Sequence, residues 1–387
     1  MSEGSRALTG TADVVIIGAG IVGLTTARAL AKRGLRDVVL IEKSTPGREA
    51  SWAAGGILAP QIEADRPDDF FRLACASRDL YPSFAEALKD ETGIDPHLDQ
   101  TGTLYLSFTE ADECELRRRI EWQTSEGLTV EWLGKSDARE LEGNISPHIR
   151  GAARFPNEWQ VENRRLVDAL VSANEKLGVN LITHCKVNGF QIEKERIQAV
   201  QTAMGTVHTS TVVLAAGAWS SFVESTGTVP PRVEVEPVRG QMLCFQARPP
   251  VSRHVLYSSR GYLVPRRDER ILAGSTTEHA GFNKQVTPEG IESITSLACE
   301  LMPAIRDLSL IDSWAGLRPR AKDGLPVLGC SEETAGLFYA TGHYRNGILL
   351  APITGELIAR EITDGAAEEL LQPFSPKTAR KIWSSPA

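Results

Sequence analysis

The sequence predicts an α/β fold built around a parallel sheet, with its domains interleaved along the chain. Three observations predict it. A run of β-branched residues leads into a glycine-rich turn, a helix, a second apolar run and an acidic residue, all within about 30 residues. A further buried-strand run, Thr211 to Gly217, recurs far downstream, with amphipathic helices between. No internal repeat and no low-complexity linker marks a division into consecutive units.

Taken in order, Asp13 to Ile17 reads as a buried parallel strand. It runs into Gly18-Ala-Gly20-Ile21-Val22-Gly23 and a helix from Leu24 to Lys32, with Gly34 as its C-cap. Val38 to Ile41 is the second strand and ends at Glu42. In such a unit Gly18 permits the tight turn, Gly20 lets the backbone approach a pyrophosphate, and Gly23 lets helix and strand pack closely. The helix N-terminus offers free N–H groups to phosphates, and Glu42 sits where a carboxylate accepts hydrogen bonds from a ribose. This predicts dinucleotide binding on a Rossmann-like unit and leaves NAD and FAD both open.

Arg48 to Pro60 is rich in small residues, with Gly55-Gly56 paired. It reads either as a surface loop or as backbone lying against a flat ring. Amphipathic helices follow near Phe70 to Thr92 and Glu110 to Thr124; within the second, Arg117 to Arg119 reads as a solvated face among glutamates. Thr101 to Phe108 is a strand, Asn163 to Leu177 a helix, and Asn180 to Thr183 and Gln198 to Thr202 are short strands. Val235 to Arg267 contains strand-like runs, including Gly240 to Gln246 and Gly261 to Pro265. A helix from Pro288 stops at Leu301 before Pro303, and another runs from Leu349 to Thr363.

The chain has 387 residues with 50 Asp+Glu against 42 Lys+Arg, a formal charge of -8. That acidic balance argues against a nucleic-acid partner. Its 6 cysteines are scattered, without C-x-x-C or zinc spacing, so they read as reduced thiols with no metal site. Met1 to Ala12 lacks the apolar core of a signal peptide, and no run reaches the roughly 18 residues that span a bilayer. The expectation is a cytoplasmic protein with no membrane partner.

Six blocks together resemble the D-amino-acid-oxidase-like family of FAD-dependent amine oxidoreductases, nearest its glycine-oxidising, thiamine-pathway branch. They are Gly18 to Gly23, Ala53 to Pro60, Ala215 to Ser220, Gly261 to Arg266, Trp314 to Gly329 and Gly342 to Gly355. The resemblance implies non-covalent FAD, since the cysteine that tethers flavin in related sarcosine oxidases has no counterpart near Gly316. It implies an FAD-binding domain from residues 1–92, 151–226 and 310–387, interleaved with a mostly antiparallel α+β substrate domain from 93–150 and 227–309. Cofactor contacts carried over are Gly18, Gly20, Ile21, Val22, Gly23, Glu42, Lys43, Ala50, Ser51, Ala54, Gly55, Gly56, Ile57, Leu58 and Val187. Ala215, Ala216, Gly217, Trp219, His343, Arg345, Asn346, Gly347 and Ile348 complete that set.

By the same resemblance Arg318 binds the substrate carboxylate, Tyr262 reaches it with its hydroxyl, and Arg345 fixes the constellation. A guanidinium suits that task because its fork of donors meets a carboxylate bidentately. Arg260 stands where the family has His and Ile57 where it has Met, which bears on substrate preference. Arg260 narrows the pocket, binds an anionic side chain, or points to solvent. The implied reaction is oxidative deamination of glycine and other small amino acids to the 2-oxo acid, ammonia and hydrogen peroxide. Hydride passes to flavin N5, dioxygen is the acceptor, and no side-chain base is required; His343 reads as structural. The alternatives are a sarcosine oxidase or a D-amino-acid oxidase or dehydrogenase. A homo-oligomer, a tetramer, is implied by resemblance alone.

Overall fold

The computed structural model describes residues 10–227, 233–366 and 368–384. Residues 1–9 of the leading segment read for a signal peptide, and 228–232 near the start of the second substrate-domain stretch, lie outside them.

Val14–Ile17, VVII, is buried at every position and forms the middle of a six-stranded sheet. It pairs in parallel with Val38–Ile41 on one side and with Val212–Leu214 on the other. Leu337–Thr341 and Asn180–Ile182 extend the parallel part, and Val327–Cys330 closes one edge antiparallel. Both faces must be covered, because the β-branched side chains alternate between them. Val14, Ile16, Val38 and Leu40 pack in the helical layer with residues of the helices Ile21–Lys32, Asp69–Thr92, Asn163–Lys176 and Gly347–Asp364. Val15, Ile17, Val39 and Ile41 pack the other way, against Phe190, Ile192 and Val200 of a smaller five-stranded sheet.

The second unit is an eight-stranded sheet in the order Ser309–Ala321, Val235–Gln246, Arg270–Gly274, Gly261–Pro265, Val255–Ser258, Thr103–Ser107, Gly151–Phe155 and Glu131–Gly134. Only the pair Val255–Ser258 with Thr103–Ser107 is parallel. Helix Pro288–Leu301 covers one face through Ile294, Leu297, Ala298 and Leu301. The α/β class with interleaved units is therefore observed. Two strands expected in the cofactor domain, Gly151–Phe155 and most of Ser309–Ala321, are hydrogen-bonded into this antiparallel sheet. Gly151-Ala-Ala carries no strand signature in sequence, and the structure shows why. A Cβ on Gly151 would come within 2.3 Å of the Trp132 ring, so the Trp demands small neighbours.

Helix Gly347–Asp364 contains Pro352, whose missing N–H leaves the carbonyl of Ile348 without its helical donor. Tyr81 donates its hydroxyl to that carbonyl, and Ser77, one turn earlier on helix Asp69–Thr92, donates to Leu349 O at 2.6 Å. Ile353 N reaches the same Ser77 oxygen at 3.5 Å. Two buried hydroxyls thus splice the broken turn. The arginine triplet departs from expectation. Arg117 and Arg118 pair with Glu113 and Glu115 on the exposed face, whereas Arg119 is buried and reaches Asp65 at 2.9 Å.

Candidate active site

The C-terminal ends of Val14–Ile17, Val38–Ile41, Val212–Leu214 and Leu337–Thr341 open on one cavity of about 430 Å³, shared with the antiparallel unit. An open parallel sheet binds its ligands at this end. Here Gly18 has φ of +102°, and a Cβ on Gly23 would lie 1.9 Å from the Gly18 carbonyl oxygen. That glycine therefore serves the packing of helix on turn and does not line the cavity. Gly20 is the N-cap of helix Ile21–Lys32 and has no side chain to accept the first-turn N–H groups. Ile21 N donates to Ser51 Oγ at 2.9 Å, which ties the small-residue stretch to the glycine turn. Glu42 lines the cavity and braces the turn, accepting from Ala19 N and Ser44 N at 2.9 Å each.

The Arg48 to Pro60 stretch is backbone against the cavity, not a surface loop. It forms a short helix Ala50–Ala53 and a strand Ile57–Leu58 paired with Trp159–Gln160. Gly56 holds φ of +70°, and a Cβ there would sit 2.0 Å from Val161 O. Buried Arg266 donates to Gly55 O at 2.8 Å and to Val161 O at 2.9 Å, clamping the glycine pair. Leu58 points away into the helical core and does not line the cavity.

Lys43, Ala50, Ala54, Ile57, Val187, Ala215, Ala216, Gly217 and Trp219 all line the cavity. Cys185 and Lys186 join Val187 there without any sequence signal. The Lys43 ammonium lies 2.9 Å from the Trp219 ring centroid, and burial lowers its pKa from the ordinary lysine value. At the far end Asn346, Gly347 and Ile348 bring the N-terminus of helix Gly347–Asp364 to the wall. His343 is buried against Thr354 Oγ1 at 3.1 Å, and burial pushes its pKa down to about 4. It is a neutral wall residue at pH 7.

Arg318 stands opposite Val238 in the long strand pair and enters the cavity beside Gly240. A Cβ on Gly240 would come within 2.2 Å of the guanidinium, so that glycine is the room the arginine occupies. Arg318 donates to Thr276 O at 3.0 Å and Ser275 Oγ at 2.6 Å. Tyr262 packs at Gly55 and stacks on Tyr257, ring centroids 5.9 Å apart. Arg345 Nη2 reaches the Tyr257 hydroxyl at 3.3 Å and Glu63 Oε1 at 3.4 Å. Glu63 raises the Arg345 pKa above the ordinary arginine value, and burial holds the Tyr257 phenol well above its own.

Glu63 and Tyr257 escape the sequence reading. Tyr257 is the register partner of Tyr262 across a two-residue turn, so hairpin arithmetic reaches it from Tyr262. Nothing in the sequence marks Glu63. Arg260 is a correction: it sits in that turn, not in the strand, so it escapes the alternation that would face it with Tyr262. It is exposed, paired with Glu300, and outside the cavity wall.

Fold and site together define a dinucleotide-binding oxidoreductase. The uncapped helix at Gly20, the braced Glu42, the Gly55-Gly56 pair and Arg318 line one cavity, a donor set that fits a flavin dinucleotide beside a carboxylate site. Residues 13–361 match the DAO family, FAD dependent oxidoreductase, and the chain belongs to that family. Glycine oxidase of Pseudomonas putida is 37% identical over 362 residues, covering 93% of this chain and 96% of that protein. A bifunctional protein ThiO/ThiG of Trichormus variabilis is 36% identical over 94% of this chain and 54% of its own length. The crystal structure of glycine oxidase from Geobacillus kaustophilus superposes with a TM-score of 0.88 at 34% identity, covering 94% of this chain and 97% of that one.

Proposed function

We propose that this chain oxidises glycine and similar small amino acids to the 2-oxo acid, ammonia and hydrogen peroxide, serving thiamine biosynthesis. The observation that carries the reading is Arg318, a guanidinium held by neutral acceptors in the wall of the cavity that the glycine turn and Glu42 also line. Held by the Gly18–Gly20 turn, Glu42 and the Gly55-Gly56 stretch, FAD would supply the acceptor for the Cα hydride; dioxygen would take the electron pair as peroxide, and water would hydrolyse the imino acid to the 2-oxo acid and ammonia. Arg318 takes the carboxylate bidentately, which fixes the amino acid's direction, and Tyr262 adds a hydroxyl from the adjoining wall. Gly240 keeps the fork free of a side chain. His343 stays neutral near pH 7, and its lowered pKa makes it a weak base. Burial beside a cation lowers the substrate ammonium's pKa, so the amine form arises without a side-chain base.

The test is an absorbance spectrum of purified protein under nitrogen, before and after glycine, then in air. Glycine bleaching the flavin band, with air restoring it and releasing peroxide, supports the reading. A yellow protein that glycine leaves unchanged sinks the substrate assignment and turns attention to sarcosine, D-alanine and D-proline. The cytoplasmic setting and the homo-oligomer belong to the same proposal. Among the described residues no helix is long and apolar enough to cross a membrane. Light scattering on the eluted protein checks the assembly.

A further inference from the structure

Glu63, Tyr257 and Arg345 close a triangle in the cavity wall. Tyr257 donates to Glu63 Oε1 at 3.2 Å, Arg345 reaches the tyrosine oxygen at 3.3 Å, and the guanidinium lies 3.4 Å from the same carboxylate oxygen. All three line the cavity that Arg318 also lines. The two arginines are therefore unlike. Arg318 has neutral acceptors, and among the described residues no carboxylate lies within ion-pair distance of it. Arg345 has Glu63.

Glu63 is also held from behind. It ends the short helix Pro60–Glu63, whose Gln61 and Ile62 N–H groups donate to Glu158 Oε2 at 3.1 and 3.4 Å. Glu158 is fully buried, so the helix has a fixed anchor. A guanidinium already paired to a carboxylate attracts a second anion weakly, because the pair presents little net charge at a distance. Of these two arginines, Arg318 is thus the one without a carboxylate partner among the described residues.

We propose that Glu63 is the specificity-determining residue that restricts the pocket to amines carrying a single carboxylate, by keeping Arg345 occupied. This rests on the reading of Arg318 as the carboxylate anchor. Glu63 acts through Arg345 and is a positioning residue. Removing its charge releases Arg345 to a second carboxylate and opens the pocket to dicarboxylic amines such as D-aspartate.

The experiment titrates FAD-loaded protein with acetate and with malonate under nitrogen, reading the shift of the flavin band. In Glu63→Gln the Kd ratio of malonate to acetate falls by at least about tenfold, one charge pair's worth. Glu63→Ala removes the same charge and gives the same fall should the amide variant lose its flavin. The double variant Glu63→Gln/Arg345→Gln returns the ratio to the wild-type value. In turnover, Glu63→Gln raises kcat/KM for D-aspartate relative to glycine. An unchanged ratio in both single variants overturns the inference, and so does a shift that survives in the double variant. If neither acid moves the wild-type band, the carboxylate anchor fails and the inference with it. If acetate binds but glycine does not bleach the flavin, only the substrate assignment is lost, and the acid ratio still decides the role of Glu63.

Discussion

Arg318 and Gly240 are one functional unit made of two residues. Arg318→Ala removes a charge-assisted bidentate contact and is expected to leave yellow, folded protein with kcat/KM for glycine reduced about 100-fold or more. Gly240→Ala puts a Cβ where the guanidinium now lies, so the arginine must swing aside. The expected result is a KM raised roughly tenfold with FAD retained, a split that steady-state kinetics resolves. His343 makes a different prediction. Its pKa of about 4 lies below the ordinary 6.5, so the unfolded chain binds a proton more readily over that interval. The stabilisation is complete above about pH 6.5 and is lost as pH falls through about 4, up to roughly 3 kcal/mol. Denaturant melts at pH 7 and pH 4 should show that loss in the wild type and a smaller one in His343→Asn.

At the scale of elements, helix Gly347–Asp364 shows how a local violation is repaired. Proline inside a helix is unfavourable, yet the splice by Ser77 and Tyr81 lets the helix keep its length while bringing its N-terminus to the cavity. Tyr81→Phe leaves the Ile348 carbonyl buried without a donor and should destabilise the protein by about 1–3 kcal/mol, read as a lower denaturation midpoint. Sequence reading reached this helix within two residues at its start, and likewise the glycine turn, because periodicity and capping are local. It did not reach strands Glu131–Gly134 and Gly151–Phe155, whose small or mixed residues answer to a partner strand and to Trp132. It placed Arg318 and Tyr262 by resemblance, but Glu63 matters only through Arg345, far away in the chain. Such a pairing leaves no mark in either segment. Arg260 rested on the resemblance alone, at the position where the family has His, and the structure puts it in the exposed turn before Tyr262.

At the scale of the molecule, the two sheet units meet over the cavity. Phe282, in the segment before helix Pro288–Leu301, packs on Trp219 and Phe222 of the dinucleotide unit at 5.2 and 5.3 Å. Lys284 pairs with Glu49 at 2.9 Å across the same junction. The ion pair is partly exposed and contributes little, so the aromatic contact dominates. Phe282→Ala should weaken FAD about 3–10-fold in a fluorescence titration of apoprotein.

The strand order carries a consequence in time. Val14–Ile17, made first, has Val212–Leu214 as one neighbour, and the next strand outward, Leu337–Thr341, is followed by the last cavity residues up to Ile348. At about 5–20 residues per second, a ribosome needs roughly 20–70 s to reach that point. For that interval the glycine turn is already synthesised while one side of its sheet has no partner. The cavity wall is therefore complete only near the end of the chain's own synthesis.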